Sequence, residues 1–385
     1  MDIKIDQEFL VKTITDLVQI NSMNPTLVAG APGEVEIAGY VANTLKNIGL
    51  NVEKLEPEPG RVSVVGILKG SGGGRSLMLN GHIDTVDVEG MPNPFSAEIR
   101  DGKLYGRGAY DMKASVAAQI AAAKALVDGG IQLSGDLLIA AVADEEHSSI
   151  GTADLIRHYK TDAAIVTEPT EMEICLAHKG FIWLEIEILG RAAHGSRYDL
   201  GIDANMHAGK LLAELETLLQ EIYQRQKHPL LGPGSFHIST INGGTGLSTY
   251  SERCTIQIER RTLPGESETQ VISEYQTILD KLSQADSNFN ASLKTILVRP
   301  PFEVAPDAEI VKSINRSALA VLDSQPPMVG QNPWMDSAFL AEAGIETVVM
   351  GPSGAGAHAA EEWIEIQSVI DFTEILAKTA IDYCQ

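Results

Sequence analysis

The amino-acid sequence predicts an α/β protein with a mixed, mostly parallel β-sheet that carries helices on both faces, together with a smaller inserted α+β domain. Two observations predict the main fold. Continuous apolar segments such as Leu137–Ala143 are typical of strands buried on both faces, and helical segments alternate with them along the chain. The third observation is a change of pattern after Lys179, where the next strand alternates strictly and therefore has one solvated face.

The first domain is predicted to comprise residues 1–176 and 300–385. Its helices carry apolar residues at helical spacing, and its strands are continuous apolar runs. In chain order the elements are helix 1–20, helix Glu34–Ile48, strands 62–70 and 76–86, helix 112–130, strand 136–143, helix 152–160, strand 163–169, helix Ala308–Leu322, helix 334–344, strand 346–352 and a last helix from Gln367. The Gly-rich segment 71–74 is predicted to form a hairpin turn between the first two strands.

The inserted domain is predicted over residues 177–299. Its elements are recognised by alternating strands and two amphipathic helices. They are strand 180–192, helix Ala204–Tyr223, strands 235–241 and 253–261, helix 267–282 and strand 291–298. This order of strand, helix, strand, strand, helix and strand is the split βαβ arrangement of a ferredoxin-like unit.

Composition narrows the class of function. The 385 residues carry a net charge of −23, which disfavours nucleic acid and anionic membrane as partners because both would be repelled. We find no apolar run long enough to span a bilayer, and residues 1–20 lack the basic and apolar regions of a signal peptide. Cys175, Cys254 and Cys384 are far apart and have no metal-binding spacing, so we expect buried thiols in a cytoplasmic protein.

Polar residues follow the apolar strands at positions where ligands bind in open α/β sheets. They are His82, Asp84, Asp111, Glu145, Glu146, Glu168 and His358. Each residue alone has a structural interpretation as a helix cap or solvated loop residue, and Asp111 in particular could be an N-cap. Together, two histidines and several carboxylates favour divalent cations, because buried acids need a positive partner. Imidazole and carboxylate ligands suit Zn²⁺, with Co²⁺ or Mn²⁺ as alternatives, and this donor set could serve two ions.

Seven motifs then carry a resemblance that covers nearly the whole chain. They are NGHIDTV, GRGAYDMKA, ADEEHSSIGT, TEPT, RAAHGS, ERRTLPGE and GPSGAGAHAAEEW. In this order they resemble the acetylornithine deacetylase, succinyl-diaminopimelate desuccinylase and aminoacylase family of co-catalytic metallopeptidases. The resemblance implies a zinc-peptidase-like catalytic domain and an inserted lid and dimerisation domain.

Position by position, the resemblance implies two metal ions bound by five residues. His82 and Glu168 would bind one ion, Glu146 and His358 the other, and Asp111 both. Two further acids would assist them. Asp84 would orient the ring of His82, and Glu145 would be the general base that takes a proton from the attacking water. Asp144 is interpreted as a supporting or capping residue, and His147 is not expected to be a metal ligand.

The inserted domain matches the family at two further positions. His194 in RAAHGS resembles a histidine that reaches the active site of the partner in a homodimer and stabilises the oxyanion. Arg261 in ERRTLPGE resembles an arginine that binds the free carboxylate of the substrate. Without the resemblance, a turn residue and an exposed strand charge are the alternatives. The chain departs from many relatives at Ser248–Ser251, Tyr198 and Asp203, which bears on substrate identity.

The resemblance therefore implies a dinuclear metal-dependent hydrolase that cleaves the amide bond of an N-acyl amino acid with a free carboxylate. A dipeptidase or carboxypeptidase of the same family is an alternative, because hydrolysis of a peptide bond requires the same catalytic groups as hydrolysis of an N-acyl amide. An inactive metal-binding relative is a third hypothesis, which the presence of Glu145 and every expected ligand disfavours. A serine hydrolase is disfavoured because we find no G-x-S-x-G motif.

Overall fold

The computed structural model describes residues 3–385. The helices of this part of the chain are α1 (Gln7–Gln19), α2 (Val35–Ile48), α3 (Ala114–Asp128), α4 (Ile150–His158), α5 (Ala204–Gln224), α6 (Glu268–Ala285), α7 (Glu309–Leu322), α8 (Ser337–Glu342) and α9 (Ile366–Tyr383). The strands are β1 (Asn51–Glu58), β2 (Arg61–Leu68), β3 (Leu77–His82), β4 (Glu98–Arg100), β5 (Lys103–Tyr105), β6 (Leu137–Val142), β7 (Ala163–Val166), β8 (Ile174–His178), β9 (Gly180–Leu189), β10 (Ser235–Gly243), β11 (Arg253–Thr262), β12 (Asn290–Arg299), β13 (Phe302–Glu303), β14 (Met328–Gln331), β15 (Glu346–Val349), β16 (Gly354–Ala355) and β17 (Trp363–Glu365).

The chain folds into two compact units. One runs through Leu176 and resumes over Val304–Val329 and Met335–Gln385. The other consists of Ala177–Glu303 and Gly330–Trp334. The second unit thus also contains residues 300–303 and 330–334, which lie beyond the insertion expected from the sequence.

The large sheet has the strand order β1-β2-β6-β3-β7-β15-β8-β13, with β14 paired to β8. Strand β3 is parallel to both β6 and β7, and β15 is parallel to β7, whereas β1 and β2 are antiparallel. The predicted mixed, mostly parallel sheet is therefore confirmed. Because β3, β6 and β7 run in the same direction, the residues that follow them meet at one edge of the sheet.

The predicted hairpin at residues 71–74 is wrong. Strands β2 and β3 do not pair with each other, because β6 lies between them, antiparallel to β2 and parallel to β3. Glycine-rich composition identified a turn, but pairing depends on the later strand β6, which the local sequence does not reveal.

The core of the first unit follows from its sequence. All residues of β3, β6 and β7 are buried, as expected for continuous apolar strands between two helical layers. Helix α3 is rich in alanine, buried along nearly its whole length, and packs against α1 and α9. Small alanine side chains allow this close approach of helices. No helix within residues 3–385 is both long enough and apolar enough to cross a bilayer.

The second unit has the element order β9, α5, β10, β11, α6 and β12, and the antiparallel strand order β10-β11-β9-β12. Buried and less buried residues alternate along β9, as the sequence pattern predicts. Asp203 caps α5 by accepting hydrogen bonds from the N–H groups of Asn205 and Met206. Ser267 and Gln270 form a capping box at the start of α6.

Candidate metal centre

The ends of three neighbouring parallel strands bring the candidate residues of the centre together. His82 is the last residue of β3, Glu145 and Glu146 follow β6, and Glu168 follows β7. Asp111 lies in the kinked segment Ala109–Lys113 just before α3, where its own backbone is non-helical, with φ of −115° and ψ of 93°. Helix α3 begins at Ala114 with Lys113 as its N-cap residue, so the alternative interpretation of Asp111 as an N-cap is wrong.

Asp111 lies between two imidazoles. Its Oδ1 is 3.0 Å from Nε2 of His82, and its Oδ2 is 3.4 Å from Nε2 of His358. A second carboxylate accompanies each histidine: Oε1 of Glu168 lies 3.6 Å from Nε2 of His82, and Oε2 of Glu146 lies 3.0 Å from Nε2 of His358. The two oxygens of the Asp111 carboxylate thus face two separate histidine and glutamate pairs, His82 with Glu168 and His358 with Glu146.

Ligand atoms of these residues also fall into two compact groups. His82, Glu145 and Glu168 each offer one atom within 4.8 Å of the others, and so do His82, Asp111 and Glu146. Glu145 is thus within ligand distance of His82 and Glu168, and both groups contain His82 and neither contains His358. The carboxylates and His82 are largely shielded from solvent, whereas His358 is 56% exposed. Imidazole and carboxylate ligands of this kind fit divalent ions such as Zn²⁺, Co²⁺ and Mn²⁺.

Burial changes the proton affinity of the carboxylates. It raises the pKa of Glu146 to about 7 and that of Glu168 to about 8, and it also raises the pKa of Glu145. Hydrogen bonds to Asp111 and Glu146 raise the pKa of His358 to about 10. In the absence of cations the centre therefore holds protons at neutral pH, and a bound cation would have to displace them.

We expect the affinity for Co²⁺ to rise steeply with pH between about 6 and 8. Glu146 and Glu168 titrate near 7 and 8, and His358 near 10, so each loses its proton more readily as the pH increases and cation binding costs less. Calorimetric titrations in buffers of different ionisation enthalpy at pH 7 should detect proton release. An affinity independent of pH over this range, with no proton release, would contradict the assignment of these ligands.

Asp84 contacts the centre in two ways. Its backbone carbonyl oxygen lies 3.0 Å from Nδ1 of His82, whereas its Oδ1 lies 3.6 Å from the same nitrogen. The carboxylate accepts the backbone N–H of Glu145 at 3.1 Å and that of Glu146 at 3.3 Å. Asp84 therefore contacts the turn that carries Glu145 and Glu146 as well as the ring of His82.

Glu362 is a residue of the centre that the sequence analysis did not identify. Its side chain is buried, and its Oε1 accepts the backbone N–H groups of Tyr110 and Asp111 at 2.9 and 3.0 Å. Its Oε2 accepts the N–H of Gly108 at 3.1 Å and Nη1 of buried Arg107 at 2.6 Å. Glu362 thereby holds the loop of Asp111. The motif HAAEEW pointed to this segment, but nothing local distinguishes Glu362 from its exposed neighbour Glu361.

His147, in the acidic turn, has other contacts than His82 and His358. Nδ1 of His147 lies 2.9 Å from Oγ of Ser148, one residue away. Asp144 is fully buried and accepts Nη2 of Arg61 at 2.7 Å and Oγ of Ser148 at 2.7 Å. These contacts agree with the interpretation of Asp144 as a supporting residue.

His194 and Arg261 lie in the second unit. His194 pairs with Thr249 in an isolated bridge, is exposed, and has its Nδ1 2.8 Å from Oγ of Ser196. Arg261 lies on β11, donates from Nε to Oε1 of Glu259 at 2.7 Å and is about one third exposed, at 32%. Its neighbour Arg260 is fully buried beside Glu266, so the two arginines of the ERRTLPGE motif have opposite environments.

The chain matches one family model and a series of known proteins. The model, described as peptidase family M20/M25/M40, matches residues 78–382. An N-formyl-4-amino-5-aminomethyl-2-methylpyrimidine deformylase of Bacillus subtilis is 28% identical, covering 90% of this chain and 89% of the relative. An acetylornithine deacetylase of Myxococcus xanthus is also 28% identical, over 97% of each chain.

Solved structures match the fold over nearly the whole length. The aminopeptidase PepT of Bacillus cereus has a TM-score of 0.82 and 19% identity, covering 99% of this chain and 100% of that one. The YXEP protein of Bacillus subtilis, described as a dinuclear metal-binding peptidase, has a TM-score of 0.76 and 17% identity, with 98% of each chain covered.

Proposed function

The chain belongs to peptidase family M20/M25/M40, and we propose that it is an amidohydrolase that removes the acyl group from an N-acyl amino acid. One observation carries the proposal. The two oxygens of Asp111 face His82 and His358, and Glu145 lies beside this arrangement. The family is metal-dependent, and the two relatives compared by sequence are named as deformylase and deacetylase, both of which remove small acyl groups.

In this proposal five side chains hold two divalent ions. His82 and Glu168 would hold one ion, and His358 and Glu146 would hold the other. Asp111, which lies between the two histidines, would contribute to both sites. Zn²⁺ suits these ligands, with Co²⁺ and Mn²⁺ as alternatives. When bound, such ions polarise a carbonyl group and lower the pKa of water.

Glu145 would transfer a proton from the attacking water to the leaving nitrogen. Burial raises the pKa of its carboxyl group, and positive charge at the flanking sites favours the carboxylate form that can act as a base. Glu145 takes one proton from water as the water oxygen bonds to the amide carbon. When the carbon–nitrogen bond breaks, Glu145 returns that proton to the leaving nitrogen, so that the products are a carboxylic acid and an amine.

The second unit would provide substrate contacts. We propose that Arg261, which is about one third exposed on β11, binds the free carboxylate of the substrate through its guanidinium group. We also propose a homodimer formed through this unit, in which His194 stabilises the oxyanion. Exposure leaves the His194 side chain accessible for such a contact.

A substrate panel tests the proposed function. Protein reconstituted with Zn²⁺ or Co²⁺ would be assayed with N-acetylornithine, N-succinyl-diaminopimelate, other N-acetyl and N-formyl amino acids, and dipeptides. We expect the highest kcat/KM for an N-acyl amino acid. A preference for dipeptides would instead favour the peptidase alternative, which the similarity to an aminopeptidase structure keeps open. Full metal occupancy without hydrolysis of any amide would favour an inactive relative.

We expect Arg261→Met to raise KM about tenfold to a hundredfold for an N-acyl amino acid, because a charged hydrogen bond contributes about 1.5–3 kcal/mol. The same substitution should hardly affect the corresponding methyl ester or amide, which lacks the carboxylate. Arg253→Met is a matched control, because Arg253 lies on the same strand and pairs with Glu187 at 3.1 Å. Equal effects of Arg261→Met on acid and ester would contradict the role of Arg261.

A further inference from the structure

A buried network of hydrogen-bonded polar side chains lies next to the acidic turn of Glu145 and Glu146. Its members are at most 6% exposed and belong to four separate segments of the first unit: Glu34, Arg61, Asn24, Asp144 and Asp84. Neither the sequence motifs nor the proposed reaction uses the first three. Burial of charges and amides costs free energy unless they are paired, so we expect this network to have a structural or functional role.

At one end of this network an arginine lies between two acids. Arg61 donates from Nε and Nη2 to the two carboxylate oxygens of Glu34, at 2.9 and 2.7 Å. The same Nη2 lies 2.7 Å from Oδ1 of Asp144. A rigid planar guanidinium can make both contacts at once, whereas a lysine ammonium has one donor centre.

Asn24 connects this ion pair to the metal centre. Its Nδ2 donates to Oδ1 of Asp144 at 2.9 Å and to Oδ2 of Asp84 at 2.8 Å. Its Oδ1 accepts the backbone N–H of Thr26 at 3.0 Å, which identifies the oxygen and nitrogen ends of the amide. The two hydrogens of one amide group therefore join two buried carboxylates.

Asp84 and Asp144 both make hydrogen bonds within the acidic turn. Asp84 accepts the backbone N–H groups of Glu145 and Glu146. Asp144 has a left-handed backbone with φ of 69°, uncommon for a residue other than glycine, and its carbonyl oxygen accepts the N–H of Ser148 at 3.1 Å. The direction in which Glu145 and Glu146 leave the strand thus depends on Asp84 and Asp144, which Asn24 holds together.

We propose that Asn24 and Arg61 are positioning residues of the metal centre, which set the placement of Glu145 and Glu146 through Asp84 and Asp144. The assignment of Glu145 as base and Glu146 as ligand rests on the proposed function, but the geometric role does not. Groups of this kind behind a metal centre, when removed, commonly lower metal affinity or activity by about tenfold to a hundredfold.

The test uses substitutions that keep size but remove donors. Asn24→Leu removes both amide hydrogens, Arg61→Met removes the guanidinium, and Arg61→Lys keeps the charge without the planar fork. We expect the first two variants to bind Co²⁺ about tenfold to a hundredfold more weakly, with an altered visible absorption spectrum, and to lower kcat at least about tenfold with little change in KM. Arg61→Lys should lie between them and the wild type.

Arg260→Met is the control for a purely structural loss. Arg260 is as buried as Arg61 and pairs with Glu266, but lies in the second unit. We expect Arg260→Met to lower Tm without changing the Co²⁺ spectrum or affinity. If Arg61→Met does not fold, Asn24→Leu and Arg61→Lys carry the test.

The outcomes separate this inference from the proposed function. Folded Asn24→Leu and Arg61→Lys proteins with the Co²⁺ affinity and spectrum of the wild type would overturn the positioning role, whatever the activity. A wild-type protein that binds Co²⁺ but hydrolyses no amide would overturn the proposed function alone, because changed Co²⁺ binding in the variants would still support the role of Asn24 and Arg61.

Discussion

Replacement of Glu145 by glutamine is expected to lower kcat by about 10²-fold to 10⁴-fold, the range that general acid–base catalysis contributes. The amide keeps the shape of the side chain but cannot accept a proton from water. The backbone N–H of residue 145 would still donate to Asp84, so the turn should keep its place. We therefore expect the variant to retain both metal ions while hydrolysis is lost. Steady-state kinetics and metal analysis on the same preparation measure the two effects.

Glu146→Gln is the matched control for this experiment. Glu146 is the adjacent residue, and its Oε2 lies 3.0 Å from Nε2 of His358. An amide is a much poorer ligand than a carboxylate, so this variant should lose metal rather than only turnover. Glu145 has a ligand atom within 4.8 Å of those of His82 and Glu168, so the experiment also tests the opposite assignment, in which Glu145 is a metal ligand. If Glu145→Gln loses an ion as readily as Glu146→Gln does, Glu145 is a ligand and not the base.

The parts of the centre that could be predicted from sequence depend on short-range patterns. His82 ends one apolar strand, Glu145 and Glu168 follow two others, and parallel strands place their carboxyl ends at one edge of a sheet. That rule requires only the order of strands and helices along the chain. It predicted where the polar residues would meet, whereas the resemblance supplied the individual roles.

The residues that the sequence analysis missed depend on contacts between distant segments. Glu362 accepts hydrogen bonds from a loop about 250 residues earlier, and Asn24 contacts Asp144, 120 residues later. Glu361 and Glu362 are identical in type, but the first is exposed and the second is buried. Short strands such as β4, β16 and β17 were missed for a related reason, since two or three residues carry too little periodicity to identify.

Removal of the Glu362 carboxylate should have the largest effect on stability. Its two oxygens accept three backbone N–H groups of residues 108–111 and one guanidinium nitrogen of Arg107. Both partners of this ion pair are at most 2% exposed. Breaking a buried pair by removing one partner costs about 3–5 kcal/mol, because the other charge stays buried without compensation. Glu362→Leu should therefore unfold at a markedly lower urea concentration.

The same substitution should reach the metal centre through Asp111. The backbone N–H of Asp111 donates to Glu362 at 3.0 Å, and the Asp111 carboxylate faces both histidines. A displaced loop would weaken both ion sites together, so Co²⁺ titrations of the folded variant should show lower affinity at each. Glu361→Gln is the neighbouring control: Glu361 is exposed and its oxygen lies 3.5 Å from Arg100, a surface pair that contributes about 0–1 kcal/mol. If Glu362→Leu matches Glu361→Gln in unfolding and in Co²⁺ binding, then the loop of Asp111 is held by other contacts.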